Sequence, residues 1–145
     1  MQQDAGITGI AHAIQLAVAP VFLLSGIGAM LAVMTNRLAR VIDRARVLEG
    51  QLRTSTGDAA PIHAQLATLS RRATLVSRSI TLCTVTALLI CAVIAVLFLG
   101  AFFAFDAAVA VALLFVAAML AFFLGLLSFL REIFLATANL RIGPR

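Results

Sequence analysis

The chain has 145 residues, 63% of them hydrophobic, with eleven basic against six acidic side chains and a formal net charge of +5. A mean hydropathy of +1.11 is far more than a soluble domain of this length needs for its core, which excludes a water-soluble globular fold. All the cations are arginines, and eight of the eleven lie between Arg37 and Arg78, between two apolar stretches. That placement points to membrane topology and anionic head groups, and away from nucleic acid.

No charged residue lies between Asp4 and Arg37, between Arg78 and Asp106, or between Asp106 and Arg131. A helix rises about 1.5 Å per residue, so roughly 20 apolar residues cross a hydrocarbon core of about 30 Å. Three spans are expected, at about 10–34, 80–103 and 107–130, in one membrane domain covering 1–145. No basic region precedes the first apolar run, so a cleavable leader is not expected.

The first span is the irregular one. Pro20 removes a backbone hydrogen bond and marks a kink, or the start of a new helix. Ser25, Gly26, Gly28, Ala29 and Ala32 form small-xxx-small pairs (Ser25 with Ala29, Gly28 with Ala32) that let helix backbones approach closely in lipid, within a chain or between copies. His12 and Gln15, at i and i+3 near the outer end, read as satisfied interfacial polar groups or, with Pro20, as lining the mouth of a pore. A metal site there would need ligands from other subunits.

Residues 36–78 carry the clearest periodicity. Leu38, Val41, Ala45, Leu48 and Leu52 recur at steps of 3 and 4, as do Ile62, Leu66, Leu69, Ala73, Val76 and Ile80. Each set is the apolar seam of a 3.5-residue repeat. Thr54-Ser55-Thr56-Gly57-Asp58 reads as the turn between them, with Asp58 and Pro61 as a helix start. The expected fold is therefore an all-α integral membrane protein. It has three transmembrane helices and a cytoplasmic antiparallel helical hairpin between the first and second, each arm running on into its span.

Arg37, Arg40 and Arg44 fall at i, i+3 and i+7 and form a basic stripe starting at the membrane border. Asp43 is placed to pair with Arg40 or Arg46, and Glu49 with Arg46 or Arg53. The stripe reads as a solvated face beside phospholipid head groups or, in an oligomer, as a cationic ring around a vestibule.

The second span opens with Ser77, Ser79, Thr81, Thr84 and Thr86, hydroxyls able to bond back to helix carbonyls. Cys83 and Cys91 are eight residues, or roughly 12 Å, apart on one helix, too far for a disulfide. The phenylalanines from Phe98 to Phe134 read as lipid-facing or packing residues. Nothing forms a catalytic constellation, a cofactor motif or a metal-spaced cluster, so an enzyme is not expected. The second and third spans hold no ionisable group of the kind that drives ion-coupled transport. The arginine-free N-terminus and Asp106 connection lie opposite the basic 37–78 loop and tail. The positive-inside rule thus predicts an outside N-terminus and a cytoplasmic C-terminus.

The run from Ile14 to Ile27 (IQLAVAPVFLLSGI), followed by Thr35 to Arg46 (TNRLARVIDRAR), resembles a family of small bacterial three-span membrane proteins catalogued as a domain of unknown function. The similarity in layout extends over nearly the whole chain. It implies a bacterial inner-membrane protein and supplies no catalytic or ligand residues. The functional expectation is a homo-oligomeric scaffold or accessory component, with a protein partner at the cytoplasmic hairpin. The alternative is a small homo-oligomeric ion channel lined by the first span.

Overall fold

The computed structural model describes residues 2–54, 59–103 and 106–138. Among them there are three helices: α1 (Gln2–Thr54), α2 (Ala60–Phe103) and α3 (Ala108–Ala138). Each contains a stretch long and apolar enough to cross a membrane. At about 1.5 Å per residue they are about 80, 66 and 46 Å long, so α1 and α2 far exceed a bilayer's hydrocarbon thickness.

This corrects the expected architecture. No helical hairpin stands between the first and second spans as elements of its own. Residues 36–54 are the continuation of α1, and residues 60–78 are the first part of α2. The physical reason is local. Neither Thr35-Asn36-Arg37-Leu38 nor Val76-Ser77-Arg78-Ser79 contains a glycine or proline to stop a helix. The polar side chains at that border are absorbed by the helix itself. Thr35 Oγ1 donates to the Ala32 carbonyl, Ser79 Oγ to Leu75 and Thr81 Oγ1 to Ser77, each at 3.0 Å.

The turn expected at 54–58 lies, apart from Thr54, outside the described residues. Pro61 stands in the first turn of α2, where a missing N–H costs nothing. The His63 N–H donates to the Ala59 carbonyl at 3.1 Å just beyond it. At the start of α3, Asp106 Oδ1 accepts the Ala108 N–H at 3.0 Å, a side-chain N-cap. Helix α1 runs unbroken through Pro20, so no new helix begins there.

Burial follows one heptad rule along each long helix. In α1 the buried positions Ala13, Pro20, Ile27, Met34, Val41 and Leu48 recur every seven residues, joined by Ala17. In α2 they are Val76, Ser79, Cys83, Thr86, Ile90, Val93 and Gly100, at steps of 3, 4 and 7. The seam recognised in 38–80 therefore extends into the spans. It is harder to see there because every face is apolar.

The chain forms two compact units. In the unit of residues 1–31 with 82–123, the core includes Ala13, Ala17, Ile27, Cys83, Ile90, Val93 and Ala118. Thr86 is buried among them, its hydroxyl donating to the Leu82 carbonyl at 2.8 Å. Phe22, Leu88, Phe102, Phe103 and Leu113 face outward, the arrangement suited to hydrocarbon as solvent. Cys83 is buried and Cys91 exposed, and no disulfide joins them. In the unit of residues 32–81 with 124–145, Met34, Val41, Leu48 and Val76 form the apolar core beside buried Ser79. Among the described residues of this unit, the ionisable side chain buried with them is Glu132.

Candidate functional site

Helix α3 ends its apolar stretch with Ser128-Phe129-Leu130-Arg131-Glu132-Ile133. The helical step leaves Arg131 exposed and turns Glu132 fully inward, 0% exposed. An unpaired carboxylate would be very costly there. Two arginines, one from each of the other helices, offset that cost. From α2, Arg72 donates Nε–H at 3.1 Å and Nη2–H at 2.9 Å to Oε1. From α1, Arg37 Nη2 approaches Oε2 at 3.1 Å.

The two carboxylate oxygens are not equivalent. Arg37 is at ion-pair distance, yet Oε2 accepts no hydrogen bond. Arg37 thus contributes charge without the aligned N–H···O geometry that Arg72 makes. Its guanidinium lies over the Phe129 ring, 5.4 Å from the centroid, a cation–π contact. Phe129 and Glu132 are neighbours at i and i+3 on α3, so Arg37 is held by both.

The same two arginines line a cleft between α1 and α2. Its walls are Val33, Arg37, Arg40, Val41 and Arg44 from α1, and Leu69 and Arg72 from α2, around about 450 Å³. The predicted stripe Arg37, Arg40 and Arg44 therefore occupies one side of a single groove, and Arg72 faces it. Arg40 Nε–H reaches back to the Asn36 carbonyl at 3.5 Å. Among the described residues, Arg40 and Arg44 have no carboxylate partner. Nor do Asp43 and Glu49 make the local ion pairs expected of them. The acid that engages the stripe comes from α3 instead.

The other candidate residues lie elsewhere. Ser25, Gly26, Gly28, Ala29 and Ala32 all face outward. A Cβ added at Gly26 or Gly28 would meet nothing within 4 Å. His12 and Gln15 are exposed, whereas Pro20 is buried and does not share their open face. His12 borders an apolar cavity of about 390 Å³ walled largely by glycine and alanine, including Gly9, Ala13, Gly100 and Ala101. Among the described residues, no group of three or more His, Cys, Asp or Glu could hold a metal ion.

The sequence reading missed Arg72, Phe129 and Glu132. A signal for the last was available: Glu132 is the one acid after Asp106, and Leu130, Ile133 and Phe134 surround it. No curated protein and no solved structure matches the chain. A family match covers residues 17–142 and thus contains Arg37, Arg40, Arg44, Arg72 and Glu132. The expected resemblance to small three-span membrane proteins holds: the chain belongs to the family described as Protein of unknown function (DUF2721).

Proposed function

We propose that the protein is a non-catalytic, homo-oligomeric scaffold or accessory component of the bacterial inner membrane. Its N-terminus lies outside and its C-terminus in the cytoplasm. The observation that supports this reading is the vacant small-residue face of α1. The chain's own seam uses Ile27 and Met34, while Ser25, Gly26, Gly28, Ala29 and Ala32 point away from it. Among the described residues, nothing outside its own helix backbone lies within 4 Å of a Cβ added at Gly26 or Gly28. In lipid, where the hydrophobic effect gives helices no reason to associate, such a face is useful to a second backbone that can pack closely against it. The long extensions of α1 and α2 beyond the bilayer then offer a surface for a protein partner, and the basic stripe rests on anionic head groups.

A channel is the second reading. It is favoured by exposed His12 and Gln15 on the first span and weakened by the inward-facing Pro20.

Native mass spectrometry of the solubilised protein tests the assembly. An oligomer that Gly26→Leu or Gly28→Leu converts to monomers supports it, and a monomeric wild type refutes it. Ion flux through the wild type in liposomes would replace the scaffold with the channel.

A further inference from the structure

We infer that the arginine cleft between α1 and α2 is a binding site for the phosphate head group of an anionic phospholipid. In this site Arg40 and Arg44 contact the phosphate, and Arg37 and Arg72 are held at its border by Glu132. The inference deepens the head-group contact in the proposed function and rests on it.

Charge is the first argument. Four guanidinium groups line one groove of about 450 Å³. The carboxylate that balances them is Glu132, fully buried and engaged with Arg37 and Arg72. Arg40 and Arg44 remain without an acidic partner among the described residues. The groove therefore carries a surplus of positive charge in the form best matched to phosphate oxygens, planar forks of N–H donors.

Depth is the second argument, and it selects a lipid over a soluble phosphate. The groove begins at Val33, inside the uncharged first span, and ends at Arg44, eleven residues further on. That is about 16 Å along the helix axis, enough to pass from hydrocarbon through the head-group layer. Val33, on the membrane side of the four arginines, suits the start of an acyl chain, and Arg37, Arg40, Arg44 and Arg72 beyond it suit the phosphate. A free ion would leave the Val33 end unused.

Glu132 acts as a positioning residue. It holds Arg72 through two hydrogen bonds to one oxygen and Arg37 through charge alone. Arg37 is thus the more easily turned toward an incoming phosphate. Both side chains keep partial exposure, 30% for Arg37 and 24% for Arg72, so their outer N–H groups are free to reach the groove.

The test is native mass spectrometry of the full chain in detergent, titrated with phosphatidylglycerol or phosphatidylcholine, with inorganic phosphate as competitor. The wild type should retain one phosphatidylglycerol per chain in clear preference to phosphatidylcholine. Arg40→Gln with Arg44→Gln should weaken that retention about 30-fold, from two charges at a membrane surface. Arg71→Gln with Arg78→Gln, exposed positions outside the groove, should leave it unchanged. Equal retention of the two lipids, or equal loss from both pairs of substitutions, would overturn the site. Displacement of the lipid by millimolar phosphate would overturn the lipid assignment in favour of a soluble ligand. The same spectra report oligomer mass, so a monomer that keeps its lipid preference counts against the scaffold and leaves this site standing.

Discussion

Arg72→Gln should destabilise the protein more than Glu132→Gln, although both break the same contact. Arg72 makes the two aligned hydrogen bonds to Glu132, at 3.1 and 2.9 Å. Without it the carboxylate remains at 0% exposure, and its surviving partner is Arg37, which is close but off the hydrogen-bond direction. Breaking a buried pair from one side costs about 3–5 kcal/mol. Because Arg37 still supplies charge, the lower end, about 3 kcal/mol, is expected.

Glu132→Gln leaves a different situation. The amide keeps the shape and an acceptor for Arg72, and the two guanidiniums, 30% and 24% exposed, are free to turn to water or head groups. Losing the charge on hydrogen bonds of this kind costs about 1–2 kcal/mol. The gap of about 1.5 kcal/mol is roughly tenfold in the unfolding equilibrium. Reversible unfolding in mixed micelles, titrated with sodium dodecyl sulfate and followed by circular dichroism, measures it. A cost for Glu132→Gln equal to or above that for Arg72→Gln would refute the argument that the buried partner sets the energetics.

Leu48→Ala, at a buried heptad position of α1, should cost about 2–5 kcal/mol in the same assay through transfer and cavity terms. Phe129→Leu removes the ring beneath Arg37 and should cost about 1 kcal/mol, with a smaller effect in the Arg37→Gln background, as a double-mutant cycle would show. Gly28→Leu should not destabilise the single chain, because open space surrounds the position and leucine is the better helix former, yet it should reduce the oligomer fraction in chemical cross-linking. His63→Cys, on the exposed early part of α2, should be labelled by a membrane-impermeant maleimide only after the cytoplasmic face is opened. Labelling of intact spheroplasts would reverse the proposed orientation.

The number and approximate limits of the apolar stretches were readable from residue type alone, because 24 or more uncharged residues in a row have one economical use. So was the grouping of Arg37, Arg40 and Arg44, which the α-helical repeat fixes within one helix. The hairpin is a correction of element count: its arms, expected to run on into the spans, are parts of α1 and α2 and add no elements to the three helices. The backbone is indifferent to a change from apolar to amphipathic composition, and with no glycine or proline at residues 34–38 or 76–80 the hydrogen-bond ladder continues. The heptad seam inside the spans stayed hidden because apolar residues occupy both its buried side (Ile27, Met34, Ile90, Val93) and its outward side (Phe22, Leu88, Phe102).

Glu132 marks the limit most clearly. Its contact with Arg72 joins residues 60 apart in sequence, and local spacing favoured Asp43 and Glu49 as partners for the stripe. Which acid meets which arginine depends on how α3 is rotated and how far it is advanced against α1 and α2. Local periodicity carries neither quantity; the packing of three helices decides both.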